Sequence, residues 1–344
     1  IFLGCGLIFI FARLDYGLTG IVAGYSVTFL VGAIVSFMIA RKNIHWLGFK
    51  LPSRSQVMNA FRKSLWFSAW SVMDALLLTV DTLLVGYLFG AEIVTKYAVT
   101  VFLGQTIARL VLTVVAASMP TLGEVVSGKG LEKAREQRDE GMLYTFVIIA
   151  IISCCVLAVN NSFVSLWVGA EQYAGLVENL LIIIVAIQLL IVRTDSLVIN
   201  LSLDIKKKTL MALITNILAV GFALVLGPEL GIIGVCLSLF LARMLTLYKY
   251  AKNVKEFLQY HSIYATSIIN VRRLICLILV FLVGVLLSIG IELTPILAIF
   301  PQGAIALISA IVLVLFIGMD QKERVVFFSR GQVLKQKLMG KLGR

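Results

Sequence analysis

The chain has 344 residues, 60% of them hydrophobic, and a formal net charge of +12. This charge does not indicate nucleic-acid binding, because the basic residues flank apolar segments, where an anionic inner leaflet attracts them. No GxxxxGK[ST] phosphate loop is present, and only two histidines occur, so ATP hydrolysis and a histidine-based or zinc site within the membrane are excluded. The five cysteines lie in apolar segments without CxxC spacing, and no cofactor or metal is expected.

Ten apolar segments follow one another along the chain, and most have the roughly 17 to 25 residues that a hydrocarbon core about 30 Å thick requires. The predicted spans are 1–12, 20–40, 64–89, 97–118, 142–160, 179–203, 209–227, 231–248, 274–291 and 297–318. The sequence therefore predicts an all-α polytopic membrane protein with about ten transmembrane helices.

The basic residues indicate the orientation of these spans. Most of the 30 Lys and Arg residues fall in alternate connections, namely 41–63, 119–141, 204–208, 249–273 and the tail 319–344. The intervening loops carry only Arg13 and Lys96 among basic residues. Since positive residues in short loops stay cytoplasmic, the basic connections and the C-terminus are predicted to be cytoplasmic.

Cysteine labelling tests this orientation. Single cysteines at Ser127 and Glu256 should be protected from an impermeant thiol reagent in intact cells, because both positions lie in basic connections. Cysteines at Glu92 and Glu171 should react. The opposite labelling pattern would reverse the predicted orientation.

Two cytoplasmic connections show helical patterns. In 53–63, Ser53 and Gln56 have capping-box spacing before a mixed apolar and basic face, which predicts an amphipathic helix on the membrane surface. In 131–140 the charges alternate in sign, which favours a solvated helical extension of the next span.

Six ionisable residues lie inside predicted spans, where charge is costly and marks a transport pathway or a paired site. They are Asp74, Asp81, Arg109, Arg193, Asp195 and Arg243. For Arg243, and as one alternative for Arg193, the guanidinium reaches the lipid headgroups instead.

Helical spacing arranges these groups in stripes. Asp74 and Asp81 are seven residues apart and share a face of the third span, while Gln105, Arg109 and Thr113 form a stripe on the fourth. A short turn, Gly90 to Lys96, makes the two spans a hairpin, and the rise of about 1.5 Å per residue places Arg109 between the two carboxylates in depth. Either Arg109 neutralises one carboxylate as a structural ion pair, or the stripes line a water-filled cavity.

In the cavity hypothesis, the arginine receives an anionic group and a carboxylate carries a coupling cation. On the sixth span, Arg193 shares a face with Ser196 and Asn200. Asp195 shares another face with Gln188, near the predicted cytoplasmic end. The candidate transport-cavity residues are Arg109, Gln105, Asp81, Asp74, Arg193 and Asp195.

Similar glycine pairs open two spans far apart in the chain. Gly17 and Gly20 precede one long span, and Gly231 and Gly234 precede another, which suggests two structural halves. The alternative is close helix packing at small residues. Because the chain begins within an apolar run, we expect it to be the C-terminal part of a longer protein.

Several stretches resemble polysaccharide flippases of the Wzx type, which share a superfamily with MATE drug exporters and the lipid II flippase MurJ. The stretches are 81–92 with Tyr97 and Ala98, 119–122 before 130–135, 200–208 with Asn216, and 227–234. The resemblance implies fourteen helices in two six-helix lobes plus a final pair, with this chain matching roughly helices 5 to 14.

The implied domains follow that scheme. Residues 1–43 match the last two helices of the N-terminal lobe, 44–63 a cytoplasmic linker and 64–253 the six-helix C-terminal lobe. Residues 254–318 match the additional helix pair, and 319–344 form a basic cytoplasmic tail.

The resemblance implies an ATP-independent flippase, not an enzyme, in the bacterial inner membrane. It would carry a polyprenyl-diphosphate-linked oligosaccharide to the periplasmic leaflet for surface polysaccharide such as O-antigen or lipopolysaccharide. Besides the lipid bilayer and that substrate, its expected partners are a coupling ion (proton or sodium) and other polysaccharide-assembly proteins. The alternatives are a MATE-like exporter of small organic cations and a membrane glycan polymerase or ligase. The last is disfavoured, since it needs a large periplasmic loop.

Overall fold

The computed structural model describes residues 6, 9–10, 17–43, 51–128, 130–202, 204–262, 270–290 and 295–329, and these residues form helices without a strand. The chain divides into two compact units, Ile1–Arg62 and Lys63–Arg344. The helices are α1 (Gly17–Asn43), α2 (Arg54–Gly128), α3 (Leu131–Trp167), α4 (Leu176–Asn200), α5 (Ile205–Leu258), α6 (Val271–Gly290) and α7 (Pro295–Leu313). A π-helical turn, Val314–Gly318, follows α7.

Two of these helices are hairpins. Gly90 (φ 82°, ψ −175°) interrupts α2, and Gly231 (φ 63°, ψ −141°) interrupts α5. Both conformations are open almost only to glycine. Seven described helices are long and apolar enough to cross a membrane. Because two of them turn back on themselves, the described residues confirm nine of the ten predicted spans. The remaining span, 1–12, lies mostly outside the described residues.

The turn at Gly90 predicts a stability effect. A Cβ built there meets no heavy atom within 4 Å, so Gly90→Ala adds backbone strain and no clash. We expect it to lower the free energy of unfolding by about 1–3 kcal/mol. The measurement is thermal unfolding of the purified protein in detergent.

Gly221→Ala is the matched control. Gly221 also has open space around its Cβ position, but it lies within α5 in ordinary helical conformation. Alanine there should leave stability unchanged or raise it slightly. Equal effects of the two changes would contradict the strain assigned to Gly90.

The start of α2 confirms one local prediction. The backbone N–H of Gln56 donates to Ser53 Oγ at 3.3 Å, and the N–H of Ser53 donates to Gln56 Oε1 at 2.9 Å. This reciprocal pair is a capping box. It begins α2 at Arg54, so the residues after it are the first turns of α2 rather than a separate surface helix.

In the second unit, α6 and α7 pack on α3. Their shared core includes Cys154, Leu157, Val280 and Ala310, all fully buried. A Cβ at Gly284 of α6 would lie 2.7 Å from Leu157 Cβ, so the missing side chain permits this close approach. The two arms of α2, with α4 and α5, form a second core that positions the polar residues described next.

Arg243 of α5 helps to fix this second core. Its guanidinium is buried and donates to the carbonyl oxygens of Val185 at 2.8 Å and Leu77 at 3.1 Å. The prediction that Arg243 reaches the lipid headgroups is therefore wrong. Backbone carbonyls of two neighbouring helices satisfy the charge within the helix bundle instead, as hydrogen bonding between membrane helices allows.

Candidate functional site

A cavity of about 410 Å³ opens between the two arms of α2, α4 and the first turns of α5. We call it the charged cavity. Among the described residues, its charged lining consists of Asp74, Arg109, Arg193 and Lys208, so three basic side chains face a single carboxylate. Thr113, Ser196 and Asn200 add polar groups, so parts of the stripes on the fourth and sixth spans line this cavity, whereas Gln105 does not.

Arg193 and Asp74 form an ion pair across this cavity. Arg193 Nη2 lies 2.6 Å from Asp74 Oδ1 and also donates to the Asp74 carbonyl oxygen at 3.1 Å. Arg193 therefore does not reach the lipid headgroups. The pair also corrects the expectation that Arg109 neutralises Asp74, since α4 supplies the partner cation.

Arg109 is exposed within the charged cavity. Its Nη2 donates to Gln105 Oε1 at 3.3 Å, one helical turn away. None of the ion pairs found in the described part of the chain includes Arg109. Its guanidinium thus presents donors to the cavity, and among the described residues its side-chain hydrogen bond is with a neutral amide.

The depth of Arg109 differs from the predicted depth. The turn is confined to Gly90, and the helix resumes at once rather than after Lys96. At about 1.5 Å per residue, Arg109 lies about 28 Å after the turn and Asp74 about 24 Å before it. Arg109 is therefore near the level of Asp74 rather than between Asp74 and Asp81.

Lys208 is a cavity residue, although its place in the basic connection 204–208 predicted a cytoplasmic loop. Its side chain is buried, with Nζ 2.6 Å from Asn200 Oδ1 and 3.5 Å from the centroid of the Trp70 ring. The signal for it was Asp204, whose carboxylate accepts from the N–H of Lys207 and caps α5. Since α5 begins there, helical spacing turns Lys208 inward while Lys206 and Lys207 stay exposed.

Asp81 and Gln105 line a smaller pocket of about 50 Å³, together with Tyr97 and Arg243. Asp81 accepts hydrogen bonds from the Tyr97 hydroxyl at 2.9 Å and from the backbone N–H of Thr82 at 2.8 Å. Arg109 lines both this pocket and the charged cavity. The two spaces therefore adjoin, and polar groups extend from Lys208 to Asp81.

Asp195 lies apart from these residues. Its carboxylate accepts from Arg138 Nη2 at 2.7 Å, and both side chains are buried. Asp139 beside Arg138 accepts from the Tyr260 hydroxyl at 2.7 Å. The predicted solvated face of 131–140 is therefore wrong at Arg138, because α4 provides a buried carboxylate there. The structure brings together five of the six predicted site residues and leaves Asp195 in a separate pair.

The first third of the chain matches a known family. A family model described as "Polysaccharide biosynthesis protein" matches residues 2–126. No curated protein and no solved structure matches the chain. The matched part includes Asp74, Asp81, Gln105 and Arg109, which both arms of α2 bring to the cavities. Over these residues, the chain is similar to polysaccharide biosynthesis proteins.

Proposed function

We propose that this protein is an ATP-independent flippase that moves polyprenyl-diphosphate-linked oligosaccharide from the cytoplasmic to the periplasmic leaflet of a bacterial inner membrane. The observation that carries this proposal is the charged cavity, where three basic side chains among the described residues face a single carboxylate between apolar helices. An anionic group suits that excess of positive charge, and the family similarity points to polysaccharide assembly.

The cations offer a diphosphate different kinds of contact. Arg109 presents a planar fork that suits bidentate binding of phosphate oxygens, and its hydrogen bond within the described part of the chain is to Gln105. Arg193 is oriented by Asp74, and Lys208 by Asn200 and the Trp70 ring. Lys208 acts as a point charge in the cavity lining. Thr113 and Ser196 add hydroxyl groups suited to phosphate or sugar oxygens.

Transport then requires alternating access to this cavity from the two sides of the membrane. A coupling ion, either a proton or sodium, would bind at a carboxylate and compete with the substrate for the site. Asp74 is already paired with Arg193, whereas the contacts described for Asp81 are with neutral donors. Other polysaccharide-assembly proteins would supply the lipid-linked unit on the cytoplasmic side and take it up on the other. The protein itself performs no bond-making step in this proposal.

The sign of the cavity charge disfavours an exporter of small organic cations. A cationic ligand would meet Arg109, Arg193 and Lys208, and like charges repel.

Deletion in the native cells tests the proposal. We expect the lipid-linked oligosaccharide to accumulate and surface polysaccharide to be lost, and a plasmid copy of the gene to restore both. The measurements are chromatography of extracted lipid-linked oligosaccharides and gel analysis of surface glycan. Normal surface glycan together with new sensitivity to organic cations would overturn the proposal in favour of a drug exporter.

A further inference from the structure

A second large cavity, of about 360 Å³, lies behind the charged cavity. It is formed by the C-terminal arm of α2, the N-terminal half of α3 and the last turns of α4. Apolar groups such as Met119, Tyr144 and Ile148 dominate its lining. We call it the apolar cavity. An empty apolar cavity of 150 Å³ already accepts a benzene-sized ligand, so this space is large enough for a chain segment of about ten carbons.

The two cavities lie back to back. On α4, Arg193 and Ser196 face the charged cavity, whereas Thr194 and Val198 face the apolar cavity. On α2, Thr113 lines the charged cavity and Val115 lines the apolar cavity. The same turns of the same two helices therefore line both spaces, and one layer of helix, about 10 Å thick, separates them.

Polarity changes along the apolar cavity. Gln137, Arg138 and Glu140 lie at one end, in the first turns of α3, which are predicted to be cytoplasmic. Ile148 lies about 12–16 Å further along the helix axis, toward the predicted bilayer interior. An apolar chain segment therefore fits at the Ile148 end of the cavity, away from the charged groups.

The polar end does not suit the phosphate of a bulk phospholipid. Arg138 is already engaged by Asp195 and Asp139, and Glu140 adds a negative charge beside it. An anionic headgroup would thus meet a compensated cation and a carboxylate. The uncompensated positive charge lies on the other side of the helix layer, in the charged cavity.

We propose that the apolar cavity binds a segment of the polyprenyl chain of the substrate while the diphosphate of the same molecule occupies the charged cavity. This inference rests on the proposed function. Because bilayer lipid is as apolar as the cavity lining, the hydrophobic effect gives the chain little reason to enter. The diphosphate held nearby brings it there, and close packing against the lining retains it.

Gly141 provides a variant that fills the apolar cavity. It lines this space, and a Cβ built on it meets no heavy atom within 4 Å. Gly141→Leu therefore places a side chain in the cavity without an initial clash, and Gly141→Ala fills it less. Gly221→Leu is the matched control, since Gly221 is an exposed helical glycine with equally open surroundings.

Photolabelling of the full chain in nanodiscs tests the site. One probe is a polyprenyl diphosphate with a diazirine in its chain, and the other is phosphatidylglycerol with a diazirine in an acyl chain. We expect the polyprenyl probe to label residues 115–122 and 141–148 in the wild type and in Gly221→Leu. In Gly141→Leu this labelling should fall about tenfold, the effect of losing roughly 1.4 kcal/mol of binding free energy. Labelling of Gly141→Ala should be intermediate between that of the wild type and that of Gly141→Leu.

Three results would overturn the inference: equal labelling of these segments by the phospholipid probe, no labelling by either probe, or unchanged labelling of a folded Gly141→Leu. Should Gly141→Leu fail to fold, the labelling of Gly141→Ala is judged by the same criteria. Arg109→Ala separates this inference from the proposed function. If Arg109→Ala abolishes glycan export in native cells while Gly141→Leu exports and is labelled normally, only the polyprenyl binding proposed for the apolar cavity is wrong. If Arg109→Ala exports normally, the cationic site proposed for the substrate is itself wrong.

Discussion

Replacing Arg138 by alanine is expected to lower the free energy of unfolding by about 3–5 kcal/mol, the usual result of breaking a buried ion pair. The side chains of Arg138 and Asp195 are 2% and 5% exposed, and 2.7 Å separates Nη2 from Oδ1. The change leaves the Asp195 carboxylate buried without its cation, and this desolvated charge dominates the cost. Unfolding in mixed detergent micelles, followed by tryptophan fluorescence, measures the effect.

Arg135→Ala is the matched control for this prediction. Arg135 lies one turn earlier on α3, and its recorded contact is an exposed hydrogen bond from Nη1 to the Gln259 carbonyl oxygen at 2.8 Å. Its loss should cost about 0.5–1.5 kcal/mol. The double change Arg138→Met with Asp195→Leu should recover most of the stability, because apolar residues of similar size can replace a buried pair. Equal effects of Arg138→Ala and Arg135→Ala would return Asp195 to the candidate transport residues.

The helices could be predicted because their signals are local. Apolar runs of span length predicted the membrane helices, and Ser53 with Gln56 predicted the start of α2. Gly90 lay in the predicted turn, although the turn proved shorter than expected. Each of these features depends on residues within a few positions of one another, so the sequence alone contains the necessary information.

The partners of the charged residues depend on packing between helices, which spacing along one helix does not determine. Asp74 and Arg193 are 119 residues apart in the chain, and Arg138 and Asp195 are 57 apart. Helical period placed Arg193 on the cavity face with Ser196 and Asn200, yet it could not show that Asp74 was opposite. Arg138 has charged neighbours in sequence, which favoured a solvated position. Its burial follows from the approach of α4 and Tyr260.

Arg109→Ala is expected to reduce glycan export about tenfold to a hundredfold while the protein accumulates normally in the membrane. A hydrogen bond to a charged group is worth about 1.5–3 kcal/mol, which corresponds to that range. Protein level should not change, since Arg109 is exposed to the cavity and its recorded side-chain contact is with the neutral Gln105. Arg109→Lys keeps the charge but loses the planar fork, so export should recover only in part.

Arg193→Ala should behave differently, because it breaks the pair with Asp74. Protein level should fall, although by less than for Arg138→Ala, since the Asp74 side chain is 32% exposed and water compensates part of the lost interaction. Adding Asp74→Ala should restore the level by removing the unpaired carboxylate. Immunoblots of membranes and surface-glycan gels from the same cultures separate the change in protein level from the change in export.

Adding Asp74→Ala to Arg109→Ala should not restore export, because Asp74 pairs with Arg193 rather than Arg109. Recovery of export in Arg109→Ala with Asp74→Ala would show that Arg109 neutralises a carboxylate, and would exclude its proposed contact with the diphosphate.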